Sequence, residues 1–300
     1  MKTFFKTIVV NFIVLLVVLE LVIRIFGLTD DVPHRKTDQF GLQVYIEGQT
    51  GYSHGNKWKV NKYGFLGDED INENNQLFVI GDSFIENFMN PNSCRQSQLF
   101  KDKGFNVFEV GRSGITFIES LEFLKNYKSI VNPKAVLIYI DNSDLLESIK
   151  EIKPYNDRAQ FNIAENKLET GEIKGQLIKR ILYSYKTLYY LYLKFQKSQA
   201  YQIPTSKDQF ESNKSSNHFE YVQKLIGYCT NRYDLSEVYF VFREKNEFTQ
   251  LFNENELKFI ELDMTDSKYI FTNDSHWNCE GHKEANFRVF NQLSDILPVN

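Results

Sequence analysis

The stretch Leu77-Phe78-Val79-Ile80-Gly81-Asp82-Ser83-Phe84 decides how the rest of the chain is read. Four apolar, partly β-branched residues bounded by a glycine have the length and composition of a buried strand. Similar runs follow at Val107-Phe108-Glu109-Val110, Ala135–Ile140, Val238–Phe242 and Leu257–Leu262. Helical spacing separates several of them: Ile118, Leu121, Leu124 and Tyr127 in one segment, Phe287, Val289, Phe290, Leu293 and Ile296 in another. Strands alternating with helices predict an α/β three-layer sandwich around a mostly parallel five-stranded sheet. The alternation is interrupted between the third and fourth strands. Residues 147–176 are polar, 177–196 are aromatic with helical spacing, and 202–217 are again polar, so 147–235 reads as an insertion. Its aromatic helix has three readings: a lid, a membrane-surface element, or a helix packed on the sheet.

The composition of the 300 residues is that of a globular chain: 42% hydrophobic, 25% charged, formal net charge -4, mean hydropathy -0.40. These values argue against disorder, a multi-span membrane protein and nucleic acid as a partner. The average conceals the N-terminus. Phe4–Leu28 is apolar apart from Lys6, Thr7, Asn11, Glu20 and Arg24, and about 20 helical residues cross a bilayer core. Glu20 and Arg24 are four apart and can pair near the far interface. Ile25-Phe26-Gly27-Leu28 lacks the small residues of a cleavage site, which favours an uncleaved signal-anchor over 1–28. Lys2 and Lys6 precede the span and Asp30 and Asp31 follow it. The expected orientation is therefore N-terminus in the cytoplasm and everything from about residue 30 outside, as a single-pass protein of the cytoplasmic membrane. Residues 29–75 read as a linker with lead-in loops, and 76–300 as the folded domain. Cys94, Cys229 and Cys279 allow at most one disulfide and leave an odd thiol.

A serine directly beyond the carboxyl end of a parallel strand is placed for chemistry. A serine nucleophile needs a base, and the base an orienting acid. Of the five histidines, His34, His54 and His218 lie in polar stretches and read as surface residues. Asp274-Ser275-His276 follows the last predicted strand, at the same sheet edge as Ser83. Zinc is the rival reading of Asp274, His276, Cys279 and His282. It is disfavoured because His282 opens the last predicted helix and no other dense ligand cluster exists. No cofactor or metal is expected.

Together these features resemble the SGNH, or GDSL-type, hydrolase superfamily, over about 76–145 and 236–296. Gly81-Asp82-Ser83-Phe84 matches its nucleophile block. Val110-Gly111-Arg112-Ser113-Gly114 matches the block whose glycine amide helps form the oxyanion hole, a role the resemblance carries to Gly114 beside the Ser83 amide. Asp274-Ser275-His276 matches the acid–base block. Two departures stand out. The commoner family spacing is Asp-x-x-His, which would need Asp where Asn273 stands; the shorter Asp-x-His resembles proteins of exopolysaccharide acetylation, and Val60-Asn61-Lys62-Tyr63-Gly64-Phe65 resembles the lead-in of membrane-anchored members. The third block, expected as Gly-x-Asn-Asp, reads Ile140-Asp141-Asn142-Ser143-Asp144, so that Asn142 or Ser143 takes the place of the third oxyanion donor. Ile85 occupies the final position of a Gly-x-Ser-x-Gly elbow, which disfavours the ordinary α/β-hydrolase fold. The resemblance implies a serine-dependent ester hydrolase with Ser83, His276 and Asp274 as catalytic residues, acting on acylated glycans or lipids of the envelope. Its alternatives are an O-acyltransferase to a polysaccharide, a non-catalytic glycan-binding protein, and a partner in a polysaccharide-modification complex.

Overall fold

The computed structural model describes residues 2–67, 71, 76–200, 215–245, 247–272 and 274–293. Asn273, Ile296 and residues 202–214 of the expected insertion lie outside them. The central sheet has five strands: β1 (Gln76–Gly81), β2 (Asn106–Gly111), β3 (Ala135–Ile140), β4 (Val238–Phe242) and β5 (Lys258–Glu261). Their order is β5-β4-β3-β1-β2, and every neighbouring pair is parallel. This is the doubly wound order in which the chain reverses direction across the sheet between β1 and β3.

β1, β3 and β4 read as unbroken apolar runs because both faces are covered, whereas the edge strands β2 and β5 carry Glu109 and Lys258 with Glu261. Side chains alternate across the sheet. Phe78, Ile80, Phe108, Val136, Ile138 and Phe240 enter one core, and Leu77, Val79, Val107, Leu137 and Val241 enter the other. The first core is closed by helix α3 (Phe117–Val131), which Thr116 and Glu119 start with a reciprocal capping box. The second is closed by Phe100 of the short helix Gln96–Lys101 and by Ala285, Val289 and Leu293 of α8 (Cys279–Leu293).

Between β3 and β4 lie α4 (Asn142–Glu147), a hairpin of Gln160–Asn162 with Lys167–Glu169, α5 (Gln176–Ser184), α6 (Lys186–Ala200) and α7 (Ser215–Arg232). Val222, Leu225 and Ile226 of α7 belong to the first core, so α7 is the helix that returns the chain across the sheet to β4. α5 buries none of its residues.

Helix α1 (Lys2–Ile25) stands apart from both cores. Thr3–Ile25 has a mean hydropathy of 2.8, is almost wholly exposed, and is long enough to cross a membrane. Membrane anchors and signal sequences share this composition.

Candidate active site

β1 ends at Gly81, and the chain turns at once into α2 (Ser83–Glu86). Asp82 caps that turn, its carboxylate accepting from the Phe84 amide at 3.0 Å. Ser83 is therefore the first residue of a helix at the carboxyl end of β1. Its N–H is among the amides that a helix start leaves without an intrahelical partner. Two glycines permit this geometry. A Cβ on Gly111, at the end of β2, would sit 2.5 Å from the Glu86 amide nitrogen, and one on Gly81 would sit 2.4 Å from Ile85.

Asp274–Trp277 is the second strand of a short antiparallel hairpin with Ile270–Phe271, beyond the last strand that the apolar pattern marks. This matters for spacing. On a strand, residues i and i+2 share a face, so an acid two residues before a histidine lies beside it. Asp274 Oδ1 accepts from the backbone N–H of His276 at 2.9 Å and also contacts the imidazole Nδ1. These contacts hold the Asp274 carboxyl below its usual range, the backbone amide contributing most. The other ring nitrogen, Nε2, is 2.7 Å from Ser83 Oγ. The Ser83 hydroxyl has one proton, and its second acceptor, Asp82 Oδ2, is more distant at 3.3 Å. Trp277 points to the opposite face, buried against Phe84 and Tyr139. Phe84 also lies under the His276 ring, centroids 5.0 Å apart.

The hairpin leads into α8 at Cys279, which is disulfide-bonded to Cys94. This removes Cys279 as a metal ligand in the zinc reading. His282 is buried, its ring edge-on to Trp277 and near Gln96. Burial, with Arg95 nearby, lowers its pKa to about 3. Among the described residues no His, Cys, Asp and Glu side chains group as a metal site.

Ser83 and His276 open on a cleft of about 480 Å³, also lined by Tyr45, His54, Ser113 and Tyr189. Gly114 adopts a left-handed backbone at φ 75°, and its neighbour Ser113 faces the cleft. Asn142 and Ser143 begin α4 and are not among the residues lining the cleft. Asn142 instead borders a small recess with Asp141 and Arg243, which form an ion pair at 3.2 Å. The side-chain Oδ1 of Asn142 is buried without a hydrogen-bond partner. Behind Ser83, burial raises the carboxyl pKa of Asp82; burial and the nearness of Asp82 raise that of Asp144 much further.

Several cleft residues carry no signal in the sequence. His54 occupies the turn of the hairpin Thr50–Ser53/Asn56–Lys59, pairs with Asp30 at 3.6 Å, and reaches the same cleft as His276. Glu86 is buried and accepts hydrogen bonds from Tyr45 and Ser113. Arg35 donates to the Ser113 carbonyl at 3.1 Å. Val32, Pro33 and Arg35 are shared with a second recess of about 480 Å³ beneath α5. A polar lead-in segment gives no periodicity from which such a wall is legible.

No family model matches the chain, and no curated protein matches it. Among solved structures, the chain is similar to a psychrotrophic esterase, EstA, from Pseudoalteromonas, at 11% identity over 75% of this chain and 99% of that one, TM-score 0.42. It is similar to TesA at 10% identity over 74% and 99%, TM-score 0.40. It is also similar to a family two carbohydrate esterase from Clostridium thermocellum, determined with cellohexaose, at 9% identity over 79% and 69%, TM-score 0.40. Each is a likeness of outline at this level, and the site stands on its own geometry.

Proposed function

We propose that the chain is a serine-dependent acyl-ester hydrolase, anchored by α1 and acting outside the cytoplasmic membrane on ester-bearing glycans or lipids of the envelope. The observation that carries the reading is the continuous contact from Ser83 Oγ to His276 Nε2 and from Nδ1 to Asp274, between residues 193 apart in sequence. Asp274 keeps the imidazole proton on Nδ1, leaving the Nε2 lone pair toward Ser83. As Oγ attacks the ester carbonyl, Nε2 takes the hydroxyl proton and later returns it to the departing alcohol. The Ser83 amide and the Ser113–Gly114 turn hold the oxyanion. Water then attacks the acyl-serine, with His276 as base, and releases the acid. A sugar hydroxyl in place of water makes the same site an O-acyltransferase. The second recess, which shares Val32, Pro33 and Arg35 with the cleft wall, favours keeping that reading, since an acceptor needs room beside the acyl group.

Two features support the anchored, extracytoplasmic assignment. The Cys94–Cys279 disulfide suits an oxidising compartment. Glu20 and Arg24 of α1 make specific hydrogen bonds to the α5–α6 junction, contacts that a cleaved signal sequence would lose.

The test is labelling with a fluorophosphonate, together with hydrolysis of p-nitrophenyl acetate. Parent protein that labels and turns over, with both lost in Ser83→Ala at unchanged fold, is the expected result. A parent that neither labels nor hydrolyses overturns the enzymatic reading in favour of a non-catalytic glycan-binding protein.

A further inference from the structure

α5 and α6 present two opposed faces. The inner face builds the cleft: Tyr183 stacks on His34 and meets Tyr189 edge-on at 5.3 Å, and Tyr189 lines the same cavity as Ser83. The outer face is apolar and exposed. Ile178 and Ile181 of α5 and Leu188, Leu191 and Phe195 of α6 recur at helical spacing, and all five are exposed, Ile178 at 73% and Phe195 at 70%. In water such a row is costly, and rows of this kind mark interaction surfaces.

The helices are also tied to one level of α1. Glu20 accepts from the backbone amides of Lys186 and Thr187, at 3.0 and 2.8 Å, and from the Thr187 hydroxyl at 2.8 Å. It thus places a carboxylate on the first amides of α6, where the helix dipole favours negative charge. Arg24 donates to the Ser184 carbonyl at 2.8 Å, and Lys186 pairs with Asp31 at 2.7 Å. Glu20 is five residues from the end of α1, about 7.5 Å along a helix axis. With the end of α1 taken as the outer surface of the bilayer, this falls in the depth at which amphipathic helices rest, about 5–10 Å into the boundary between headgroups and acyl chains.

We propose that α5 and α6 rest with their outer faces in the outer headgroup region of the bilayer, holding the Ser83 cleft, whose wall includes Asp30 to Pro33 just beyond α1, close to the membrane surface. The proposal rests on the anchored reading of α1. The occupant is lipid because the row continues the exposed apolar surface of α1 at a fixed level. Tyr185 and Tyr192, both exposed, have the polar-tipped rings that favour the interface. Lys194, over the Tyr190 ring, has the long stem that reaches to headgroups. The consequence for function is that an ester carried on a membrane-embedded amphiphile reaches Ser83 without leaving the bilayer surface.

The test uses the full chain in phosphatidylcholine–phosphatidylglycerol vesicles, with the environment-sensitive fluorophore NBD attached to one introduced cysteine at a time. Cys229 is buried, and burial raises its thiol pKa, so it reacts slowly. Labels go on Leu191→Cys, Phe195→Cys, Val14→Cys and Lys268→Cys, with quenching by lipids spin-labelled at shallow or deep acyl positions. The expected result is blue-shifted emission at 191 and 195, quenched more by the shallow label. Val14→Cys should be quenched more by the deep label and Lys268→Cys by neither. Quenching at 14 without quenching at 191 and 195 overturns the proposal and leaves the anchor standing. Lack of quenching at 14 overturns the anchor and the proposal with it. Deeper quenching at 191 and 195 than at the shallow position means insertion and overturns the interfacial placement. Cross-linking of two copies through 191 or 195 in place of lipid quenching assigns the face to a second copy and also overturns it.

Discussion

Asp274 and His276 sit on a strand whose outer face they share, while Trp277 between them and α8 turns inward to the core. The side chain that orients the imidazole is thus fixed by the same alternation that buries its neighbour. His282, one turn into α8, has a different part. It is neutral and fully enclosed between Trp277 and Gln96, with its pKa lowered to about 3. An unfolded histidine takes up its proton near pH 6.5. Between that pH and about 3 the unfolded chain therefore binds one more proton than the folded one. The contribution is neutral above pH 6.5 and becomes destabilising as pH falls through this window, by about 1.4 kcal/mol per pH unit. His282→Asn should flatten that part of the stability–pH curve. Urea unfolding of parent and variant from pH 7 to 4 measures it, and parallel curves would refute the assignment.

At the level of elements, the decisive contact is between the end of β2 and α2. A Cβ at Gly111 would meet backbone atoms of Ile85 and Glu86 at 2.5–2.8 Å, and backbone cannot swing aside as a flexible side chain can. Gly111→Ala is expected to cost about 1–3 kcal/mol, the range for overpacking a close-fitted interior. It should also displace α2, and with it Ser83, from Nε2. The loss of kcat should then exceed that of a surface variant with the same fall in melting temperature; equal losses would mean that α2 does not move. The same level of description shows why strands were easy to place. β1 to β5 fall within one residue of the strand-length runs at 77–80, 107–110, 135–140, 238–242 and 257–262, because strands of a sheet covered on both faces are predominantly apolar. The hairpin carrying His276 was not legible, since four mostly polar residues in a half-exposed pair leave no such run.

Across the whole molecule, the Cys94–Cys279 bond joins segments 185 residues apart, one within the β1–β2 connection and the other three residues after His276. Closing so long a loop restricts the unfolded chain substantially, and removing such a bond typically costs about 2–5 kcal/mol. Cys94→Ser together with Cys279→Ala should lower the denaturation midpoint accordingly, with no further fall on adding reductant. A variant as stable as the oxidised parent would refute the role. The sequence allowed one disulfide among three thiols but not which pair, because the partners are brought together only when α8 packs on the helix Gln96–Lys101.

What the sequence by itself determined is local in character: five buried strands, an apolar N-terminal span, a serine just beyond the first strand, and an acid–base pair two residues apart. Each is written in contiguous residues, so periodicity and composition reveal it. The tertiary structure alone decided what meets across long separations. It joined His276 to Ser83 and Cys94 to Cys279, and drew Arg35, Glu86 and His54 into the cleft. It also set Asn142 and Ser143 apart from the cleft lining and tied the α5–α6 junction to Glu20 and Arg24 of α1. These depend on how helices cross a sheet and on which loops share its edge, and a linear pattern holds no record of distances that only packing creates.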